Sequence, residues 1–317
     1  MKIVIPGGSG QVGTALARAF TATGDEVVVL SRTHFDADWR IVEWDAVTLG
    51  PWTNEIERSD VVINLAGRSV NCRYGAENRR EIMDSRVNST RVIGEAIAAA
   101  QEAPKVWLQS STATIYEHSI SNANDDVAGV IGGNEPNTPD TWKFSIDVAT
   151  AWEQATVEAN TPRTRKVLMR SAMTMGTGKD GIFDTMLGLV RKGLGGTAAS
   201  GKQYISWIHE DDFVESVRWL INHDELSGPI NISSPNPLPN REFMRIFRES
   251  WGTSFGLPAM EWQLAIGAWF MNTETELILK SRRVVPKLLT DSGFKFRFPD
   301  WSEACRELCE LWRKENS

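Results

Sequence analysis

The sequence predicts an α/β fold, with a doubly wound parallel sheet followed by a smaller, mainly helical C-terminal region. Short apolar runs alternate with segments of helical spacing through residues 1–170, a pattern typical of helices that cross over a parallel sheet. The runs are continuous, as expected for strands covered on both faces. After Ser171 the chain changes to glycine-rich loops and then to helical segments. We therefore expect a core over residues 1–170, a substrate-side region over 171–240 interleaved with the last sheet elements, and a helical region over 241–317.

The first thirty-two residues read as one strand, turn, helix and strand. Lys2–Ile5 leads into a glycine-rich turn, a helix over Thr14–Thr23 and a strand over Glu26–Leu30. Three glycines spaced by three permit a tight turn, close approach to a pyrophosphate and close helix–strand packing. Free N–H groups at the helix start favour phosphate. The unit predicts a Rossmann-type dinucleotide site, the alternative being a purely structural turn. The expected contacts are Gly7, Gly10, Gln11, Val12 and Gly13.

The end of the second strand predicts which dinucleotide binds. A carboxylate there would hold the ribose 2′-hydroxyl of NAD, whereas the 2′-phosphate of NADP needs a cation. This chain has Ser31 and Arg32 at that position, and a guanidinium with a neighbouring hydroxyl suits a phosphate through charge-assisted hydrogen bonds. We therefore predict NADP(H) as the cofactor; the alternative is that Arg32 is an ordinary exposed arginine.

Further strands and helices follow in alternation. Strands are predicted over Arg40–Trp44, Asp60–Asn64, Lys105–Ser110 and Lys166–Arg170, with helices over 76–100 and 140–160. Because ligands bind such sheets at the carboxyl ends of the strands, residues at these ends are expected to contact the cofactor. They are Asp45, Leu65, Ala66, Gly67, Ser110 and Arg170. Residues 229–240 read as a proline-rich connection, and residues 241–313 as a helical tail.

The composition of the chain limits the classes of partner that we expect it to bind. The chain has 317 residues, a net charge of −7 and a pI near 5.3, which argues against nucleic acid or an anionic membrane as the main partner and favours a small molecule. Only three cysteines occur, without disulfide or metal-site spacing; Cys305 and Cys309 are expected to share packing. No metal is predicted. The absence of a signal-like or membrane-spanning stretch predicts a cytoplasmic location. A homodimer is compatible with the sequence but not specified by it.

The motifs together resemble the extended short-chain dehydrogenase/reductase superfamily. Those shared with it are the glycine turn, Asn64–Gly67, Asn88 in the long helix, and Ser110–Tyr116. The chain is more closely similar to the atypical group labelled "epimerase family", or cell-division-inhibitor-like nucleoside-diphosphate-sugar epimerase, with a small C-terminal helical domain. Its further motifs here are Ser206–Asp212, Gly228–Ile232, Ser281–Leu289 and Gly293–Phe296. The resemblance implies that Asn88 is also a cofactor contact.

The resemblance also shows what this chain lacks. Hydride chemistry in the superfamily uses a tyrosine with a lysine four residues later on the same helix face, plus a Ser or Thr from the fifth strand. None of the three tyrosines here has a lysine four residues on. By likeness to the group's helix, Phe144 and Val148 stand where the pair belongs, and neither can move a proton. Thr112 remains for the hydroxyl role, the alternative being an ordinary strand-end hydroxyl.

Other proton carriers have weaker support from the order of elements. They are Lys143, Asp147, Tyr116, Tyr204 and His209, of which His209 fits better as the start of a helix with acidic residues in its first turn. Two functions stay open. One is an NADP(H)-dependent oxidoreductase or sugar-nucleotide epimerase-like enzyme with a substituted proton donor; the other is a catalytically silent NADP(H)-binding sensor or protein-interaction module.

Overall fold

The computed structural model describes residues 1–179, 181–270 and 274–317. The strands are β1 (Lys2–Pro6), β2 (Glu26–Ser31), β3 (Arg40–Glu43), β4 (Val61–Asn64), β5 (Val106–Thr112), β6 (Arg165–Ser171), β7 (Met173–Met175), β8 (Tyr204–Ile205), β9 (Trp207–His209), β10 (Gly228–Ile232) and β11 (Leu238–Pro239). The helices are α1 (Gln11–Ala22), α2 (Thr53–Ile56), α3 (Ala76–Ala99), α4 (Asp140–Glu158), α5 (Ile182–Arg191), α6 (Glu210–Asn222), α7 (Asn240–Trp251), α8 (Glu261–Phe270), α9 (Glu276–Leu279), α10 (Lys287–Asp291) and α11 (Trp301–Glu315). A short 3₁₀ turn, Ala113–Ile115, follows β5.

Seven of these strands form one parallel sheet in the order β10-β6-β5-β4-β1-β2-β3. The strand order reverses between β1 and β4, because the chain builds one side of the sheet from β1 to β3 and then crosses to the other side. Ligands of open α/β sheets bind in the crevice at such a switch point. The predicted fold class is confirmed, and the glycine turn after β1 meets the loop after β4 at this crevice.

Helices cover both faces of the sheet because its strands are apolar on both faces. Along β1, Ile3 and Ile5 pack in one core with Leu16 and Phe20 of α1. The side chain of Val4, between them in sequence, packs in a second core with residues of α3. Successive side chains of a strand point to opposite faces, so the two cores lie on opposite sides of one sheet.

A third core joins the middle of the chain to its C-terminal end. It packs α5 and α7 against α11, with the Phe243 and Trp301 rings stacked at 4.1 Å. Cys305 and Cys309 are buried there as free thiols, so the predicted shared packing is confirmed.

One prediction about the second half of the chain was wrong in detail. The segment expected as a connection over 229–240 instead supplies β10, whose apolar Ile230 and Ile232 are fully buried beside β6. The predicted helical character of the C-terminal region is confirmed: its described residues include α7 to α11, and the segments between these helices include Pro258, Pro286 and Pro299, residues that cannot continue a helix interior. Within the described residues, no helix combines the length and apolar character needed to cross a bilayer.

Candidate functional site

The glycine turn is shaped by two close contacts. Gly7 has φ of +73°, and a Cβ there would lie 2.5 Å from the Cα of Ala66. A Cβ on Gly13 would lie 2.4 Å from the Cα of Gly8. Both distances are far below van der Waals contact, so the turn is held against the loop after β4 and α1 is held against the turn. These are the two packing roles that the glycine spacing predicts.

Gly10 differs from the other two glycines. It precedes α1 with extended backbone, and a Cβ there would meet no protein atom within 4 Å. It has no side chain with which to cap the helix, and the first turn of α1 has no acidic residue. The N–H groups and positive dipole end of α1 are therefore suited to phosphate.

The side chain of Gln11, which follows Gly10, is held by residues that come after β6 in the chain. Gln11 donates from Nε2 to Glu210 Oε2 at 3.2 Å, and its side chain lies against Gly178 and Gly181. Burial raises the pKa of Glu210. Gln11 thus ties the start of α1 to α6. Val12 is half-buried and packs on the adjacent core.

The end of β2 presents the residues predicted to select the cofactor. Ser31 is buried and accepts a hydrogen bond from Thr33 N at 3.4 Å, while Arg32 is exposed. The following loop and the start of α1 enclose an open cleft of about 540 Å³, which is lined by Ser9, Arg18 and the segment 35–39 among others. No carboxylate occupies the strand end itself, but Asp36 and Asp38 line the cleft.

Asp45 forms hydrogen bonds with residues of its own turn. Its carboxylate accepts from the backbone N–H groups of Val47 and Thr48, both at 2.8 Å, and from the Thr48 hydroxyl. The Thr48 hydrogen bonds lower the pKa of Asp45. Asp45 therefore organises the turn after β3, where the adjacent Ala46 has φ of +64°.

The loop after β4 is fixed by a buried amide. Asn64 accepts from Ala66 N at 3.0 Å and donates to Gln109 Oε1 on β5 at 2.9 Å. Leu65 is half-buried and Gly67 is exposed, and Asn88 lies half-buried on α3. From the sequence, Asn64 was noted only as part of a motif shared with the family. In the structure, Asn64 shapes the loop that Gly7 contacts.

Arg170 does not face an open cofactor crevice. It donates from Nε and Nη2 to the two oxygens of Glu153 at 2.8 and 2.7 Å, and from Nη1 to the Tyr116 hydroxyl at 3.0 Å. Burial alone would lower the pKa of Arg170, but the hydrogen bonds and charge of Glu153 outweigh it and raise the pKa. Arg170 is buried, and these bonds direct its guanidinium to Glu153 and Tyr116 and not to a cofactor. Ser110, on β5, is half-buried.

The residues at the predicted catalytic positions meet at one cavity. Phe144 and Val148 lie one turn apart on α4, and both line a cavity of about 180 Å³ together with Thr112. Thr112 accepts from Thr114 N at 3.2 Å, which caps the 3₁₀ turn. Val148 is 5% exposed and packs with Cys72 and Ile82.

Four titratable cavity residues were not identified as site residues from the sequence. They come from distant segments: Tyr74 precedes α3, Arg86 lies on α3, Glu276 begins α9 and Arg282 follows it. Burial lowers the pKa of Arg86 to about 10. Its Nη1 donates to the carbonyl groups of Arg68 and Ile82, and its guanidinium lies over the Trp152 ring. Only the tertiary fold brings these charges to an otherwise apolar wall.

The five weaker candidates for proton transfer lie elsewhere. Lys143 and Asp147 are exposed on α4, and Tyr116 is buried with its hydroxyl donating to Asn231. Tyr204 packs under the Arg283 guanidinium. His209 accepts from Asp211 N at 3.1 Å at the start of α6, as its structural interpretation predicted, and contacts Glu307. None of these five residues lines the cavity.

Metal chemistry has no support in the described ranges. No group of three or more His, Cys, Asp or Glu side chains within residues 1–179, 181–270 and 274–317 could hold an ion. The polar residues of the cavity are instead a phenol, two guanidinium groups, a carboxyl and hydroxyls. Such a set suits hydrogen bonding and proton transfer.

Comparisons with known proteins give the lineage of this architecture. Residues 3–233 match the profile of the NAD dependent epimerase/dehydratase family, and residues 263–308 match a domain of unknown function, DUF1731. Two relatives are epimerase family protein YfhF of Bacillus subtilis, 29% identical with 97% of this chain and 98% of that protein covered, and epimerase family protein SDR39U1 of Bos taurus, 30% identical with 97% and 99% covered. The crystal structure of human SDR39U1 isoform 2 with NADPH superposes with a TM-score of 0.84 at 27% identity, covering 98% of this chain and 99% of that one.

Proposed function

The chain belongs to the NAD dependent epimerase/dehydratase family, and on that premise we propose that it is an NADP(H)-dependent oxidoreductase acting on a small carbonyl compound or the corresponding alcohol. The observation that carries the proposal is the cavity at the carboxyl ends of β5 and β6, where Thr112 and Ser171 share a wall with Phe144. A mainly apolar cavity with a few convergent polar groups is typical of a small-molecule site.

The residues present fit a dinucleotide phosphate. Gly10 leaves room at the start of α1, whose N–H groups would hold the pyrophosphate. Arg32 and Ser31 would hold a 2′-phosphate, with Arg18 lining the adjacent cleft. Remaining contacts are proposed from the backbone of Gly7, Gln11, Val12 and Gly13, and from Asp45, Leu65, Ala66, Gly67, Asn88 and Ser110. When bound, the nicotinamide supplies or accepts a hydride.

NADP(H) is proposed over NAD(H) because the end of β2 carries a cation and no acid. The human relative named above was solved with NADPH, which supports the same choice. Calorimetric titration of the unliganded protein with NADPH and with NADH tests it directly. We expect much tighter binding of NADPH; equal affinities would contradict the assignment.

The size of the cavity favours a small substrate. Its volume of about 180 Å³ lies below the roughly 300–1,000 Å³ typical of drug-sized ligands, so a sugar nucleotide fits less well than a small aldehyde or ketone. NADPH oxidation with 4-nitrobenzaldehyde and phenanthrenequinone, and NADP⁺ reduction with UDP-glucose, both followed at 340 nm, distinguish these classes. We expect slow NADPH oxidation with the carbonyl compounds, since the usual Tyr–Lys pair is replaced, and no NADP⁺ reduction with the sugar nucleotide, since the cavity is too small for it.

A silent NADP(H) sensor is the second candidate, and the replacement of the pair by Phe144 and Val148 favours it. It predicts tight NADPH binding with no turnover of any carbonyl, and a change in association state or partner binding when NADPH is added. Sedimentation velocity with and without NADPH tests that outcome, and it also shows whether the protein is a homodimer. A cytoplasmic location is likewise proposed, and fluorescence imaging of a tagged chain tests it.

A further inference from the structure

The cavity contains one phenol, on a segment outside the helix that carries the tyrosine in related enzymes. We propose that Tyr74 is the proton donor of this site and that Ser145 and Glu276 position it and return its proton. The inference rests on the proposed function, because it assigns a residue to the same reaction.

Tyr74 lies beside the position where the usual tyrosine is missing. Its ring packs edge-on against the Phe144 ring, with centroids 5.1 Å apart and planes at 70°. Both rings line the cavity that Thr112 also lines. A phenol on the segment before α3 is thus adjacent to the expected place of the phenol on α4, and reaches the same space from a different element.

The backbone of Tyr74 is anchored on both sides. Its N–H donates to Glu274 Oε1 at 2.8 Å, and its carbonyl accepts from Arg79 Nε at 2.9 Å. The first contact ties the segment to the C-terminal region, and the second ties it to α3. A residue held at both its N–H and its C=O presents its ring in a fixed place, which proton transfer requires.

Ser145 and Glu276 continue from the Tyr74 hydroxyl into the protein. Ser145 lines the same cavity as Tyr74, and it donates from Oγ to Glu276 Oε2 at 2.5 Å. Glu276 is 2% exposed, so this carboxyl is separated from bulk water. A hydroxyl between a phenol and a carboxyl can pass a proton from one to the other.

Glu276 and Arg282, beyond Ser145, carry buried polar atoms that lack hydrogen bonds. Glu276 Oε1 and Arg282 Nη2 lie 3.7 Å apart, and neither has a hydrogen-bond partner among the described residues. Arg282 is only 7% exposed, and both residues line the cavity. Unsatisfied buried polar atoms are costly, and here they lie where a polar ligand would supply the missing bonds.

The electrostatic surroundings favour an acid over a base. Burial raises the pKa of Tyr74, although the neighbouring Ser145 hydroxyl and the charge of Arg282 oppose the rise. The phenol therefore stays protonated near neutral pH. Burial also raises the pKa of Glu276. The other charged or titratable groups that act on these two residues are Cys72, Arg282, Lys280 and Glu274.

The proton balance follows for carbonyl reduction. The carbon–oxygen π bond breaks as the carbon receives a hydride, and the oxygen forms an O–H bond with the proton of Tyr74 Oη. The Ser145 hydroxyl turns from Glu276 Oε2 and gives its proton to the Tyr74 phenolate, and Ser145 then takes a proton from the protonated Glu276 carboxyl. Water that enters the cavity after the alcohol leaves returns a proton to Glu276, which lines that cavity. The alcohol product has gained one hydride and one proton, and the protein returns to its starting state.

The connection between Tyr74 and Glu276 can be tested without cofactor or substrate. Because the chain has three tyrosines, 3-fluorotyrosine labelling gives three ¹⁹F signals, and Tyr74→Phe assigns one. We expect the Tyr74 signal to shift as Glu276 titrates above the usual glutamate range, and the shift to vanish in Glu276→Gln and in the milder Ser145→Ala. The Tyr204 signal is the control. A Tyr74 titration unchanged in both variants would overturn the proposed connection.

Turnover tests the donor role itself. With phenanthrenequinone as the probe, Tyr74→Phe should lower the NADPH oxidation rate by about 10²-fold or more while the NADPH dissociation constant stays unchanged, and Tyr204→Phe should match the unmodified protein. Ser145→Ala should shift the pH profile of the rate. Undiminished turnover by Tyr74→Phe would overturn this inference and leave the proposed reaction intact. No turnover by unmodified, NADPH-bound protein would overturn the reaction and the donor role together.

Discussion

Gly13 of α1 packs directly on Gly8 of the preceding turn, so closely that a Cβ at residue 13 would lie 2.4 Å from the Cα of Gly8. The helix start is therefore placed by backbone contact rather than by a side chain. Gly10, three residues earlier, has no such neighbour within 4 Å. One turn thus contains a glycine required for folding and another whose open side faces away from the protein interior.

This contrast predicts different outcomes for two substitutions. Gly10→Val should keep the fold and abolish NADPH binding, since its side chain meets no protein atom but would occupy the place of the pyrophosphate. Gly13→Val should lower the melting temperature, because the backbone of Gly8 must move. Circular dichroism melting and calorimetric titration measure the two effects. Normal NADPH binding by Gly10→Val would show that the turn is only structural.

Arg32 is predicted to select the cofactor. Arg32→Ala should weaken NADPH binding by about 10- to 150-fold, or roughly 1.5–3 kcal/mol, through loss of charge-assisted hydrogen bonds. NADH binding should change little, because NADH has no 2′-phosphate. Arg306→Ala, an exposed arginine on α11, is the matched control. Equal losses for both cofactors would argue for a general structural effect of Arg32.

Phe144 offers a gain-of-function test. Phe144→Tyr adds a hydroxyl to a half-buried ring at the cavity wall and should raise the rate of NADPH oxidation with phenanthrenequinone. Adding Val148→Lys should cost stability, since Val148 is 5% exposed and a buried ammonium is expensive. Comparing the single and double variants by turnover and urea unfolding separates the two effects. An unchanged rate in both variants would indicate that α4 does not face the reacting group.

Lys280 makes stability depend on pH. Burial, with Arg282 nearby, lowers its pKa to about 8, and its Nζ donates to Thr114 O at 2.6 Å. Between pH 8 and the usual lysine pKa the unfolded chain binds more protons than the folded chain, so the free energy of unfolding should rise with pH. The rise should reach at most about 3 kcal/mol. Below pH 8 both states are protonated and this contribution is flat.

Urea unfolding of the wild type and of Lys280→Met from pH 7 to 10 measures this term. The stability difference between them should change in favour of the wild type as the pH rises, because only the wild type has the titrating amine. A difference independent of pH would contradict the lowered pKa.

Local patterns made most of the core predictable. Continuous apolar runs gave β1, β2, β4, β5 and β6 within a few residues, because each strand is buried on both faces and carries its own signal. The edge strand β10 was hidden by Pro229, which usually argues against a strand. Pro229 is tolerated because β10 lies at the sheet edge.

The cavity was less accessible to sequence reasoning. Thr112, Phe144 and Val148 followed from family spacing, whereas Tyr74 and Glu276 stand about two hundred residues apart and share no motif. Arg170 looked like a ligand contact because it ends a strand, yet its charge is used by Glu153, seventeen residues earlier. Packing decides which neighbour satisfies a buried charge, and no periodic pattern in the local sequence indicates that neighbour.

Because Glu276 and Arg282 contribute to the cavity, the two regions of the chain that match family profiles are expected to evolve together. The two matched regions, residues 3–233 and 263–308, look separable along the sequence. However, the second region supplies Glu276 and Arg282 to a cavity whose hydroxyls and Arg86 come from the first. Either region alone would expose half of a site. Recombination that exchanged them between distant relatives would therefore have to preserve both halves of one polar network, so the pair is expected to pass through evolution as a single unit.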